Sequence, residues 1–293
     1  MEKQLIEGFY HDGSLLFDED GRNYIVYGND EIWITELNED LTAPKKDGLH
    51  RLLVSDHKNP KLGYEGSHIQ KINGYYYIFL IHSLRDRWMR TEACFYSDSL
   101  EGEFTGGDVL CDDRGYCGQG VAQGGIVDTP DGKWYAMLFQ DSGAVGRLPI
   151  LLPVTWKDHF PVFGQNGHVP EEIEVHSTRP GYIYQPLVGS DDFCNGLLPR
   201  WQFNHDPDPR YYHLDALQGT YTITTREVCT ELTQAVNTLT QRMSYPSCAA
   251  EVTVDASALK EGDVAGLCAL QSCYAAVGIT KHHGKYEVLM LDK

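Results

Sequence analysis

An all-β fold follows from three features of the amino-acid sequence. The 293 residues include 18 tyrosines, 29 glycines and 13 prolines, a balance suited to many short strands joined by tight turns. The stretch from Asp12, DGSLLFDEDGRNYIVYG, recurs without gaps from Glu65, EGSHIQKINGYYYIF, and from Gln123, QGGIVDTPDGKWYAMLF. Each copy centres on an Asp-Gly or Asn-Gly pair, which tolerates the positive φ angles of a tight hairpin turn. The repeated unit is therefore a β-hairpin.

Each copy opens on a polar residue followed by Gly: Asp12-Gly13, Glu65-Gly66 and Gln123-Gly124. The turn glycines Gly21, Gly74 and Gly132 follow at a constant distance, and three residues beyond each stands Tyr24, Tyr77 or Tyr135. The copies lie 53 and 58 residues apart, leaving room after each hairpin for two more strands, such as EIWITEL after the first and RTEACFYS after the second. About four strands per repeat is the content of a β-propeller blade. Innermost strands of a propeller run along a common axis, so equivalent positions in successive blades face one another. Asp12, Glu65 and Gln123 are expected to converge on one pocket, the glycines after them letting neighbouring backbones approach. A lone acid before Gly ordinarily decorates a strand end. Here the scaffold residues repeat while this position changes from Asp to Glu to Gln, the pattern of a shared site with divided roles.

The formal charge of −18 repels nucleic-acid phosphates and anionic membranes, and no Lys/Arg cluster offers a local exception. The expected partner is neutral or small, neither nucleic acid nor membrane. The most apolar run, LPILLPVTW, is interrupted by Pro149 and Pro153 and is too short for a membrane span. The start, MEKQLIEGFYHDG, has no long apolar segment, so a cytoplasmic location is expected. The eight scattered cysteines contain no C-x-x-C pair and read as free thiols, Cys111 and Cys117 included, since no His stands near to complete a zinc site. His282 and His283 should face opposite sides of a strand and read as a solvated turn. The acidic FDEDG, residues 17–21, lacks the spaced ligands of a calcium loop and reads as a charged hairpin tip. P-loop, zincin and nucleophile-elbow motifs are missing.

A pair of carboxylates in a largely neutral cleft is the apparatus of glycoside hydrolysis: one protonates the leaving oxygen, and the other activates water or attacks the sugar. Glu65 is the candidate acid. An isolated Glu titrates near about 4.3, too low to hold a proton at neutral pH, and a negative Asp12 nearby is expected to raise that value by repulsion. Asp12 then tunes and orients the acid.

These stretches, with GRLPILLPVTW, resemble the family 43 glycoside hydrolases, five-bladed β-propellers that act as β-xylosidases and α-L-arabinofuranosidases; the match runs from about residue 10 to 170. The resemblance implies an inverting mechanism with three central acids, matching Asp12 to the pKa-modulating Asp, Glu65 to the general acid and Arg147 to an arginine that contacts the sugar, with Gln123 as a further substrate contact. No required cofactor is expected, with a central calcium ion as the alternative. Where many relatives carry a His beside a central calcium ion, this chain has GQGVAQGG, with Gln119 and Gln123. Nothing before Asp12 matches the family's catalytic base, so the chain is expected to begin at the third blade. Residues from SDDFCNGLLPRWQFNHDPDPRYYHL onward resemble the opening of a lectin-like β-sandwich, with Trp201, Asn204 and His205 in its core and turns. The implied organisation is an incomplete five-bladed-type propeller of about three blades over 1–165, a linker over 166–188 and a partial sandwich over 189–293. Open blade faces imply a homo-oligomer. The implied function is release of arabinofuranose or xylose from hemicellulose fragments, or, without a base, carbohydrate binding alone.

Overall fold

The computed structural model describes residues 6–175, 177, 179–244, 247–271 and 273–293. They divide into two compact units, Met1–Gly143 with Arg147–His176 and Ala144–Gly146 with Ser177–Lys293. The first contains three four-stranded antiparallel sheets, each paired in chain order. Sheet one is β1 (Ser14–Phe17), β2 (Asn23–Asn29), β3 (Glu31–Leu37) and β4 (His50–Ser55); sheet two is β5 (Glu65–Ile72), β6 (Tyr75–Ser83), β7 (Arg90–Ser97) and β8 (Thr105–Leu110). Sheet three is β9 (Ala122–Asp128), β10 (Trp134–Asp141), β11 (Arg147–Lys157) and β12 (Phe160–Phe163). The two stretches expected to extend the first hairpins are β3 and β7, and the polar-Gly pairs stand at the head of the innermost strands.

The sheets stack face to face, which explains their patterning. One core joins sheets one and two through Leu16, Tyr24, Val26, Ile69, Ile78 and Leu80 among others; a second joins sheets two and three through Tyr77, Phe79, Cys94, Ile126, Leu138 and Leu152. Because sheet two is covered on both faces, β6 reads as a continuous apolar run, YYYIFLI, and every residue after Tyr75 is buried. Strand β2, with one covered face, alternates instead. At the β5–β6 turn Asn73 and Gly74 have φ of 50° and 85°, the pair of positive angles that matches strand twist in a two-residue hairpin. Strand β11 contains Pro149 and Pro153 but pairs with β12 only over Val154–Lys157. The prolines thus stand where one edge of the strand has no ladder partner to lose.

Equivalent positions in the three sheets differ in exposure. Tyr24 and Tyr77 are buried between sheets, whereas Tyr135 is only partly covered, and Val127 and Met137 beside it are 55% and 49% exposed. On the first sheet, Leu15 and Phe17 are 46% and 62% exposed. Both end faces of the stack are apolar and open, as in a propeller that lacks blades.

The FDEDG tip departs from its sequence reading. Glu19 and Asp20 are solvated, but Asp18 is buried, accepting hydrogen bonds from Tyr76 Oη at 2.5 Å and Lys71 Nζ at 2.6 Å. It ties sheet one to sheet two. Burial raises its pKa, yet the Lys71 and Tyr76 hydrogen bonds outweigh that, and the net shift is downward.

In the second unit β13 (Gln202–Phe203) pairs with β16 (Leu239–Thr240), and β14 (Tyr212–Asp215) with β15 (Thr220–Ile223). A three-stranded sheet of β17 (Val264–Leu270), β18 (Tyr274–His282) and β19 (Lys285–Asp292) ends the chain. Trp201 stacks on Phe193 at 5.9 Å and donates from its indole to Asp191 at 2.8 Å. Asn204 bonds Thr238 through its backbone, and His205 contacts the Thr233 carbonyl. Trp201 and Asn204 are half-buried and His205 is exposed, so these are packing and loop positions of a partial sandwich rather than members of a closed core. His282 and His283 are both exposed, and His283 sits in a turn with φ of 50°, as a solvated turn requires; that turn brings the imidazoles together, centroids 4.0 Å apart, rather than onto opposite sides of a strand. All eight cysteines are unpaired. No described helix is long and apolar enough to cross a membrane.

Candidate active site

The heads of the three inner strands share a backbone device. Asp12 (φ 46°), Gly66 (φ 69°) and Gln123 (φ 67°) adopt left-handed conformations. The β5–β6 ladder slips between Glu65 and His68, and the β9–β10 ladder slips opposite Gln123. Such bulges re-aim side chains at a strand end. The glycines serve different approaches. A Cβ at Gly124 would lie 2.0 Å from the Met137 carbonyl oxygen, whereas one at Gly66 would meet the Gln123 side chain at 2.7 Å and one at Gly13 the Ile25 side chain at 3.1 Å. Only Gly124 is required by backbone proximity; Gly66 makes room for the next repeat's own polar side chain.

Asp12 and Glu65 converge. His11 Nε2 stands 3.5 Å from Asp12 Oδ2 and 3.5 Å from Glu65 Oε2, and the three ligand atoms lie within 4.8 Å of one another. Asn29, at the end of β2, donates to Glu65 Oε2 at 3.0 Å and fixes that carboxylate from the neighbouring sheet. A cavity of about 210 Å³ is lined by Asp12, Gly13, Ser14, Gly66, Ser67, His68 and Gln123. Asp12 and Gln123 line it directly; Glu65 stands beside it, joined through His11. His68 is open to the cavity on one side and rests against Gly125 on the other. Although the ring is exposed at the cavity, desolvation by the surrounding walls pulls its pKa down and the Asp12 charge opposes that.

Behind the cavity, Gln123 is held by a buried acid. Its backbone N–H donates to Glu92 Oε2 at 2.6 Å. Glu92 is fully buried, and its other oxygen has no hydrogen-bond partner among the described residues. Burial drives its pKa well up, against the opposing Gln123 N–H and Arg90 charge. Arg147 does not line the cavity. It lies over Phe139 at 4.5 Å and 3.4 Å from Asp141, which also pairs with buried Arg90 at 2.6 Å.

Sequence reasoning therefore placed Asp12, Glu65 and Gln123 together and missed His11, Asn29, His68 and Glu92. His68 left a trace: the gapless alignment puts it opposite Leu15 and Ile126, a polar residue at an apolar repeat position. Asn29 and Glu92 left none, because their contacts cross strands far apart in the chain.

The three four-stranded sheets, with carboxylates converging at the heads of their inner strands, have the architecture of a partial β-propeller. Residues 2–161 match the model for glycosyl hydrolases family 43, and residues 190–293 match the β-xylosidase C-terminal concanavalin A-like domain. The chain belongs to glycosyl hydrolases family 43. A solved structure described as a bifunctional GH43-CE protein of Bacteroides eggerthii is 40% identical, covering 97% of this chain and 37% of that one with a TM-score of 0.81. A β-xylosidase of Formosa agariphila is 25% identical over 79% of this chain and 46% of its own length. A non-reducing-end α-L-arabinofuranosidase of Bacteroides ovatus is 25% identical over 53% of this chain and 31% of its own. The chain spans about half the length of the curated relatives it matches, 51% and 46% of two of them.

Proposed function

We propose that this chain acts on terminal arabinofuranose or xylose units of plant hemicellulose fragments, by an inverting route with Glu65 as general acid. The observation that carries this reading is the meeting of Asp12 and Glu65 at His11 beside a small polar cavity. Its volume of about 210 Å³ is below the roughly 300–1,000 Å³ of drug-sized sites and suits a single small sugar. Names of relatives supply the two pentosides.

Roles follow from position. Asp12 lies closer to Glu65, within 4.8 Å, than the about 6.5–9.5 Å that admits an attacking water between acid and base. It is too near to be the base, and through His11 it instead orients Glu65. Gln123 and His68, both lining the cavity, offer hydrogen-bond partners to sugar hydroxyls, whereas Arg147, paired with Asp141 outside that lining, has only the family resemblance behind its role as a sugar contact. No step is routed through a central calcium ion. The carbonyl of Gln119 accepts from Gln140 Nε2 at 2.8 Å and Gln123 packs against Gly66, so neither supplies a charged ligand for a hard cation. The water-activating base is not assigned to a residue of this chain.

A second reading, carbohydrate binding without turnover, is favoured by one fact: among the described residues Asp12 is the only carboxylate lining the cavity. Hydrolysis of nitrophenyl arabinofuranoside and xylopyranoside by the wild type and Glu65→Gln separates the two. Turnover that falls by about 10²–10⁴ in the variant supports the enzyme; equal, negligible rates support the binding protein; undiminished turnover removes Glu65 as the acid.

A further inference from the structure

We propose that His11, Asp12 and Glu65 form a site for a divalent transition-metal ion of the zinc type, whose occupancy blocks Glu65. The blocking rests on the reading of Glu65 as the acid; the binding does not.

The spacing argues for co-ligands rather than a hydrogen-bonded trio. His11 Nε2 is equidistant from Asp12 Oδ2 and Glu65 Oε2 at 3.5 Å. A single ring N–H directed at either oxygen would leave the other without it. For a tetrahedral ion with bonds of about 2.0–2.1 Å, ligand atoms sit roughly 3.3–3.4 Å apart, so these two edges already match. The third is no longer than 4.8 Å, a difference that a small rotation of the Asp12 side chain takes up.

The donor set, one imidazole and two carboxylates, is one that zinc accepts, and three protein ligands leave a fourth position for water. The ligands are also braced. The His11 ring stacks on Phe9, 5.6 Å between centroids and 5° from parallel, and Asn29 donates to the Glu65 oxygen that faces the site. Such outer contacts hold metal ligands in place. His11 and Glu65 are half-buried and Asp12 exposed, so an ion reaches them from solvent. The nearest buried cation, Arg90, is paired at 2.6 Å with Asp141, which reduces its opposition. A bound ion takes the lone pairs through which Glu65 would hold its proton. The ion then acts as an inhibitor competing with the sugar. These ligands are distinct from the Gln119 and Gln123 positions of the central calcium.

A second cluster, Glu261, His282 and His283, is fully exposed and also has its ligand atoms within 4.8 Å; it competes for the same ions and is removed in the test. Calorimetric titration of Zn²⁺ into His282→Ala/His283→Ala protein is compared with the same protein carrying His11→Gln. The expected result is a site at least ten times weaker, or lost, on His11→Gln, with inhibition of nitrophenyl-glycoside hydrolysis, read against each protein's own metal-free rate, weakened equally. Co²⁺ absorption distinguishes this nitrogen–oxygen site from exposed thiols through its lack of thiolate charge transfer, and Asp12→Asn repeats the comparison should His11→Gln fold poorly. Identical isotherms with and without His11 overturn the proposal. Binding that depends on His11 without any hydrolysis by the wild type leaves the metal site standing and removes the catalytic reading.

Discussion

Glu92, which holds the backbone of cavity-lining Gln123, shows how much of this site depends on a residue that touches no substrate. This buried carboxyl can be replaced by an amide, because Gln keeps the acceptor for the Gln123 N–H and brings no charge to bury. Glu92→Gln is expected to fold with near-normal stability. Glu92→Ala orphans a buried N–H, at a cost of about 1–3 kcal/mol, and releases the strained Gln123 backbone. Urea midpoints of the two variants check this. At the same scale, Asp12→Asn keeps the size of a side chain that lines the cavity but removes its charge, so kcat/KM for a nitrophenyl pentoside should fall with no matching drop in the thermal unfolding midpoint. An unchanged kcat/KM would take Asp12 out of the site. The convergence of positions 12, 65 and 123 was legible because a gapless repeat equates them. His11 was not, since a His beside an Asp carries no repeat signal, and its role depends on the Glu65 carboxylate arriving from another sheet.

Among the elements, the hairpins were readable from Asp-Gly and Asn-Gly turns, because local twist selects them, and β3 and β7 from the length of chain left between one repeat and the next. The bulges at the heads of β5 and β9 were not, since a ladder slip is set by the partner strand. Glycine substitutions separate these cases. Gly74→Ala adds a Cβ with nothing within 4 Å at φ of 85°, so it carries only the left-handed penalty of about 1–2 kcal/mol. Gly124→Ala drives a Cβ to 2.0 Å from a backbone oxygen and should cost more than about 3 kcal/mol. Gly66→Ala meets the end of the Gln123 side chain, which can swing aside. It should lose activity beyond what its stability loss explains, as thermal unfolding and kinetics together would establish.

For the whole molecule, pH acts on the sheet interfaces from both sides. Asp18 and Glu36 have depressed pKa values, burial being outweighed by bonds to Lys71 and Tyr76 and to Lys45 and the Leu49 N–H. Their contribution is complete above the unfolded values of 3.8 and 4.5 and is lost as pH falls through the folded ones. Glu92 runs oppositely. Its raised pKa means stability is lost as pH climbs above the unfolded 4.5 toward the folded value, so Glu92→Gln should flatten the alkaline side of a stability-against-pH curve. The open faces around Val127, Met137, Leu15 and Phe17 predict a homo-oligomer that covers them; sedimentation of Met137→Lys should shift toward monomer, and a monodisperse wild-type monomer would oppose this. Three stacked sheets were foreseeable from repeat spacing, but which faces lie open depends on what packs against each end.

The central claim is that Glu65, brought to Asp12 through the first two repeats, donates the proton that releases the sugar. Its most direct test is the rate loss in Glu65→Gln for a nitrophenyl against a dinitrophenyl leaving group, since the latter departs without protonation. The account predicts a loss of about 10²–10⁴ with the first and little with the second. An equal loss with both leaving groups would contradict it.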